Sequence, residues 1–156
     1  VLGAAMDEQA PAKKAANELR AKLDRVREQV KGKMAVRTLL TRSESSLASV
    51  GGGNFLNELL SIAGGQNVLA GGENSYPTID REQLLKLNPE AIIQLLPGAS
   101  EQVVKQARAS LEGIDVEAVR KGRVYSLTEP YLLLPGYSVG EIAERFAQVL
   151  HPPGAS

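Results

Sequence analysis

The residues best placed to do chemistry lie around a glycine-rich turn, Gly51-Gly52-Gly53, which follows a short apolar run. Successive backbone amides in such a turn can hold a phosphate group at the start of a helix. A Walker A loop also needs Gly-Lys-Ser/Thr after four spacer residues, and this chain lacks it. The G-x-G-x-x-G spacing of a dinucleotide site is missing too, because Leu56 stands where the third glycine belongs. A small α/β nucleotide-binding or enzymatic domain using Gly51–Gly53 is therefore kept only as the alternative.

Carboxylates are scattered through the sequence, and no two are spaced to share a proton as a catalytic pair. We therefore predict no catalytic residues. Glu82 differs from the others because it follows a predicted helix N-cap, Asp80, by two positions. The helix dipole favours a carboxylate there, and the side chain is also available to a partner. Both interpretations of Glu82 remain open.

Tyrosines are the other candidates in a chain with four Tyr, two Phe and no Trp. Tyr76 and Tyr131 both fall in predicted loops rather than at helical core positions. Loop aromatics on an α/β scaffold commonly line a ligand cleft, but they can equally close the end of the core. Tyr125 alternates within a predicted strand, which favours a structural role.

Composition excludes several classes of protein. The chain has no Cys and a single His, which excludes disulfide frameworks, zinc ribbons and thiol catalysis, and it predicts neither a metal site nor an intrinsic cofactor. The formal net charge is zero, so no nucleic-acid partner is expected. No apolar run is long enough to cross a membrane. The start, Val1-Leu2-Gly3, has neither an initiator Met nor the pattern of a signal peptide, which predicts a processed protein or an excised fragment.

The elements that must position these residues alternate between strand and helix. Apolar residues at helical spacing predict one long helix over residues 7–31, ended by Gly32. After it, strand and helix patterns alternate four times, which is typical of a mostly parallel central sheet with helices on both faces, a Rossmann-like α/β lobe. Two local predictions are a short strand at Val68-Leu69 and a capping box at Ser138-Val139-Gly140-Glu141. The sequence therefore divides into a helix, 1–33, and an α/β lobe, 34–156.

Six motifs in a fixed order resemble the C-terminal lobe of the periplasmic binding proteins that deliver vitamin B12, haem or iron-siderophores to ABC importers. They are the glycine-rich turn, Phe55 to Val68, Tyr76 to Leu85, Asn88 to Ile93, Gly122 to Tyr125, and Ala147 to Pro152. The match covers roughly residues 34–152, and residues 7–31 are similar to the long interlobe helix of that family. The cobalamin-binding branch is the most similar, through Tyr-Pro-x-Ile-Asp-Arg-Glu at residues 76–82.

This resemblance implies a ligand bound between two lobes, of which this chain holds the second. It implies that Tyr76 lies against the ligand, and that the cleft edge is completed by the loop with Ser49 and the loop with Glu129 and Tyr131. Tyr137 is a further candidate, because Gly136-Tyr137-Ser138 replaces the Gly-Pro-Arg that many members have before the last helix. The arginine that could contact an anionic ligand at that position is thus missing.

The resemblance also implies a function without catalysis. The chain is expected to bind a corrinoid or iron chelate (cobalamin, haem or a ferric siderophore), with Glu82 docking on arginines of the ABC permease. The expected location is periplasmic or extracellular, at the membrane through the importer or a lipoprotein anchor. An unpaired interlobe helix would leave an apolar stripe exposed, which predicts a possible homodimer.

Overall fold

The computed structural model describes the backbone of residues 2–136 and 138–152, and within them the side chains from Lys13 onward. Six helices and four strands are found there. In chain order they are α1 (Leu2–Val30), β1 (Val36–Thr41), α2 (Phe55–Ile62), β2 (Gly65–Asn67), α3 (Arg81–Leu87), β3 (Ala91–Leu95), α4 (Glu101–Ala109), α5 (Glu117–Arg120), β4 (Val124–Leu127) and α6 (Val139–Leu150). None of the described helices is both long and apolar enough to span a membrane.

The four strands form one parallel sheet in the order β2-β1-β3-β4. The two central strands, β1 and β3, are almost entirely buried. This is why β3 reads as a nearly continuous apolar run, whereas β1 also carries the buried polar residues Thr38 and Thr41. Register aligns Leu40 with Ile93, and Gln94 with Ser126. The α/β class and the mostly parallel sheet are confirmed.

Helices cover both faces of this sheet. On one face, Leu40 and Ile93 pack with Leu60 of α2 and Phe146 of α6. On the other, Leu39 and Ile92 belong to a second cluster, completed by residues of α3, α5 and the segments around them, namely Ile79, Leu84, Leu111, Ile114, Val116 and Ala118. A lobe with two independent apolar layers holds its loops on a rigid base.

The first helix begins five residues earlier than predicted and packs parallel to α6, with Leu19 and Lys22 near the start of α6 and Val30 near its end. Val26 is buried in the core, with Leu23 and Val30 packed beside it. At the other end of the contact, Lys22 Nζ lies 2.7 Å from Glu141 Oε1 at the start of α6. Because α6 already covers this apolar stripe, the predicted homodimer through an exposed stripe is not supported.

Three local predictions have different outcomes. Asp80 forms the predicted N-cap, with a capping box to Gln83. Ser138 does not cap α6: its backbone is helical, with φ −78° and ψ −2°, and its side chain makes no cap hydrogen bond. The strand predicted at Val68-Leu69 is instead Gly65–Asn67, because pairing with β1 begins at Gly65 opposite Val36.

Candidate ligand-binding site

All four strands end at one side of the sheet, here called the carboxyl edge. The loops that leave it begin at Arg42, Val68, Leu96 and Thr128. In open parallel sheets, ligands bind outside this edge. The fold therefore brings the loops with Ser49, Tyr76, Glu129 and Tyr131 to the side of the lobe where a ligand is expected.

The glycine-rich turn is filled by protein rather than open to a ligand. A Cβ atom on Gly51 would lie 2.3 Å from the carbonyl oxygen of Asn74, and one on Gly52 would lie 2.2 Å from that of Ala70. The Gly51 amide donates to Ser75 O at 2.7 Å. These glycines are needed because the β2–α3 loop packs directly on them. The turn is therefore packed against the lobe and is not open as a phosphate cradle.

Three asparagines, none of them singled out by the sequence, join the turn to the β2–α3 loop. Asn67 Nδ2 donates to Gly51 O at 3.2 Å and to Asn57 Oδ1 at 3.1 Å. Asn54 Nδ2 donates to Gly51 O at 2.9 Å and to Ser75 O at 3.2 Å, while its Oδ1 accepts from Asn57 N at 3.0 Å. Their Asn side chains satisfy buried carbonyls that would otherwise lack partners. They fix the loop that carries Tyr76.

Tyr76 lies on the surface at the carboxyl edge, with 42% of the residue exposed. Its amide donates to Asn74 Oδ1 at 2.9 Å. The guanidinium carbon of Arg42 lies 5.4 Å from the centroid of its ring, within the range of a cation–π contact. Arg42 is a residue that the sequence analysis missed, although its position directly after the buried strand β1 marks it.

Ser49 lies at the base of this edge and is fully buried. Its amide donates to Pro77 O at 2.8 Å, and its hydroxyl donates to Leu47 O at 2.8 Å. Its carbonyl oxygen accepts from Arg42 Nε at 3.2 Å. The hydroxyl of Ser49 is thus already hydrogen-bonded within the lobe. The residue contributes to the carboxyl edge through its backbone amide and carbonyl groups.

Glu129 and Tyr131 lie in the loop after β4, at the far end of the same edge. Glu129 Oε1 accepts from Arg145 Nε at 2.5 Å, while its Oε2 is buried without a hydrogen-bond partner among the described residues. Tyr131 packs against the core, and burial, followed by the negative charges of Glu129 and Glu141, raises the pKa of its hydroxyl. The hydroxyl therefore stays protonated at neutral pH.

The two candidate tyrosines flank the edge without meeting. Tyr76 follows β2 and Tyr131 follows β4, and these strands are the outermost two of the four. Strands β2 and β4 are three inter-strand spacings apart, or about 14 Å, but the loop that carries Tyr76 reaches back to Arg42 at the end of β1. Tyr137 lies outside the described residues.

Glu82 is separate from this group, in the first turn of α3. Its side chain is 79% exposed, and its carboxylate lies 3.7 Å from Lys86 Nζ one turn further along the helix. A pair this exposed holds the carboxylate only weakly. Within the described part of the chain, no group of three or more His, Asp or Glu side chains is arranged to hold a metal ion.

At the carboxyl edge of the described part of the lobe, a depression of about 210 Å³ lies between the β1–α2 and β3–α4 loops. It is lined by Arg42, Glu44, Leu95, Leu96, Pro97, Ala99 and Val103. Larger depressions, of about 440, 530 and 320 Å³, lie along α1, and the first and third of them also reach α6. The site is an open surface, not an enclosed cavity.

Comparison with known proteins agrees with this geometry. The family described as "Periplasmic binding protein" matches residues 1–131. Over 80 residues, the chain is 34% identical to the high-affinity heme uptake system protein IsdE of Staphylococcus aureus (strain MRSA252), a match that covers 49% of this chain and 27% of that protein.

Solved structures that are similar to this chain also belong to binding proteins. An ABC transporter substrate-binding protein from Listeria monocytogenes EGD-e superposes with a TM-score of 0.81 at 25% identity, over 96% of this chain and 60% of its own. The periplasmic vitamin B12 binding protein BtuF of Vibrio cholerae gives a TM-score of 0.73 at 26% identity, over 88% of this chain and 52% of its own. The chain thus spans little more than half the length of these proteins. None of these similarities supports the nucleotide-binding alternative. Since the family match covers most of its residues, the chain belongs to the periplasmic binding protein family.

Proposed function

We propose that this chain is part of a non-enzymatic substrate-binding component of an ABC importer. It captures a corrinoid or iron chelate (cobalamin, haem or a ferric siderophore) between two lobes. Residues 34–156 form the second lobe, and residues 1–33 form the helix that leads from the first. The names of similar proteins support this ligand class, since one is a heme uptake protein and another binds vitamin B12.

The observation that carries the proposal is the way α1 extends beyond the lobe. Its contact with α6 begins near Leu19 and Lys22, which pack on Gly140 at the start of α6. Since α6 starts from a loop of the carboxyl edge, the preceding residues of α1 project past that edge, by roughly 25 Å at 1.5 Å per residue. A helix in this position would carry a second lobe directly over the candidate site.

A half-cleft also explains why the depression at the carboxyl edge is small and open. Good small-molecule sites bury ~70–90% of the ligand surface. The open carboxyl edge offers one wall only. We assign the ligand contacts on this wall to Tyr76, Glu129, Tyr131 and Tyr137, with Ser49 holding the base of the edge.

Docking on the permease is assigned to Glu82. Its carboxylate is exposed and held only by a weak contact with Lys86. An exposed carboxylate that meets an arginine of the partner forms a charge-assisted contact and steers association. The proposed location is the periplasm or the outer surface of the cell membrane, close to the importer.

Titration of the complete natural protein that contains this chain tests the proposal. Haem, cyanocobalamin and ferric siderophores are added separately while absorbance and tyrosine fluorescence are followed, with ATP and NAD as controls. We expect one chelate or corrinoid to bind with a micromolar or tighter constant and the nucleotides not to bind. Nucleotide binding without chelate binding would overturn the proposal.

A further inference from the structure

We propose that Arg42 is an anion-binding position at the carboxyl edge, and that the ligand presents an ionised oxygen group, such as a carboxylate, to this lobe. This inference rests on the proposed function, and it narrows the ligand to an anionic chelate. The proposed cation, Arg42, lies on the β1–α2 loop. The loop before α6 does not supply one, because it has Gly136-Tyr137-Ser138 in place of an arginine-containing sequence.

The guanidinium of Arg42 is held in place from two sides. Its Nε donates to the carbonyl oxygen of Ser49 at 3.2 Å, and its carbon lies 5.4 Å from the Tyr76 ring centroid. Ser49 is itself fixed by the antiparallel bridge to Thr41 and by its bond to Pro77 O. An arginine fixed in this way loses less side-chain entropy when it binds an anion.

The two terminal amino groups of Arg42 remain available. Within residues 13–136 and 138–152, its only side-chain hydrogen bond is the one from Nε. The ion pairs in this part of the chain use other cations, namely Lys22, Arg27, Lys86, Arg120, Lys121 and Arg145. Arg145 shows the contrast, since its charge at the other end of the edge is already neutralised by Glu129. Arg42 is half-buried and carries an uncompensated charge beside the candidate ligand surface.

The surroundings of Arg42 fit a polar group attached to an apolar body. The depression beside it is walled by Leu96, Pro97 and Ala99, and its one carboxylate belongs to the exposed Glu44. The Tyr76 ring supplies an aromatic surface on the other side. A macrocycle or chelate could rest on these apolar groups while its carboxylate accepts from both amino groups of Arg42.

Two ligands that differ only in this group test the inference. The complete protein, its Arg42→Gln variant and an Arg27→Gln control are titrated with haem, which has two ionised propionates, and with haem dimethyl ester, which has none. Ferric citrate serves as a second anionic probe. Arg27 is the matched control because it is an exposed arginine of α1, paired only with Asp24.

We expect Arg42→Gln to weaken binding of haem roughly tenfold or more, and to change binding of the ester by about twofold or less, since charge-assisted hydrogen bonds are lost only with the anion. Glu44→Gln should strengthen haem binding a few-fold, because it removes a nearby negative charge. Because Glu44→Gln is expected to raise the affinity for haem rather than lower it, it tests the inference even if Arg42→Gln folds poorly.

The outcomes separate the two proposals. If haem dimethyl ester binds the wild-type protein at least as tightly as haem, or if the variants change both haem forms equally, the anion-binding inference is overturned while the proposed function stands. If no chelate or corrinoid binds the wild-type protein, both are overturned.

Discussion

The guanidinium of Arg42 lies over the ring of Tyr76, 5.4 Å from its centroid, and this contact joins two loops of the carboxyl edge. Arg42 directly follows β1, while Tyr76 belongs to the loop between β2 and α3. Such a contact contributes about 0.5–1 kcal/mol at an exposed site. It orients the aromatic ring and the cation together on the surface where we place the ligand.

Replacing Tyr76 should reduce ligand affinity without unfolding the lobe. Tyr76→Leu removes the aromatic face and the support of Arg42, and we expect haem to bind about three- to tenfold more weakly, corresponding to the 0.5–1.5 kcal/mol of an aromatic pair. Tyr76→Phe keeps the ring and should bind nearly as well as the wild type. Absorbance titration of the complete protein measures both. Equal losses in the two variants would show that the hydroxyl group, not the ring, makes the contact.

Glu82→Arg should impair transport while ligand binding is unchanged, because the exposed carboxylate is lost from the docking surface and not from the cleft. The measurement is ligand uptake by cells or vesicles that carry the importer, with ligand affinity determined in parallel. Glu101→Arg is the matched control, since Glu101 also begins a helix at an exposed position. Weaker ligand binding in Glu82→Arg, or an equal transport loss in Glu101→Arg, would contradict the docking assignment.

Gly52→Ala should destabilise the fold. Its new methyl group would meet the Ala70 carbonyl oxygen at 2.2 Å, which forces the two loops apart. Overpacking of this kind lowers the free energy of unfolding by about 1–3 kcal/mol or more. Gly71→Ala is the control, because no atom lies within 4 Å of its new methyl group. Urea denaturation measures both variants, and a wild-type midpoint for Gly52→Ala would show that the loops do not pack as described.

Thr41→Val should stabilise the protein. The hydroxyl of Thr41 is buried and has no hydrogen-bond partner within the described part of the chain. Removing an unsatisfied buried hydroxyl recovers a desolvation cost of about 1 kcal/mol. In the same strand, Thr38 donates its hydroxyl to Val36 O at 2.8 Å, so Thr38→Val should not stabilise. A loss of stability in Thr41→Val would reveal a bound water or another partner for the hydroxyl.

Most of the architecture could be predicted because it rests on local patterns. The buried strand β3 is apolar except for Gln94, and Asp80 with Gln83 forms the capping box expected of a helix start. Strand β2 could not be located, because Gly-Gln-Asn has little strand propensity and is extended only through its pairing with β1. Ser138 fails as a cap because the chain is already helical there.

The candidate site was predicted less completely, because its geometry depends on contacts between loops. Tyr76 could be chosen as an exposed loop aromatic from the sequence alone. The position of Arg42 after β1 places it at the carboxyl edge, but its role could not be predicted, since it follows from the Ser49 carbonyl and the Tyr76 ring, which lie seven and 34 positions away. The same holds for Gly51 and Gly52, whose need for glycine comes from carbonyl groups of residues 70 and 74.

The most direct test of the central claim compares ligand affinity in the complete protein and in the 156-residue chain alone. If this chain supplies one wall of a two-lobed cleft, the chelate that binds the complete protein at micromolar or lower concentration should bind the chain at least about a hundredfold more weakly, since half of the contact surface is missing. Titration calorimetry on both proteins gives the ratio. Equal affinity would contradict the account, because the whole site would then lie within this lobe.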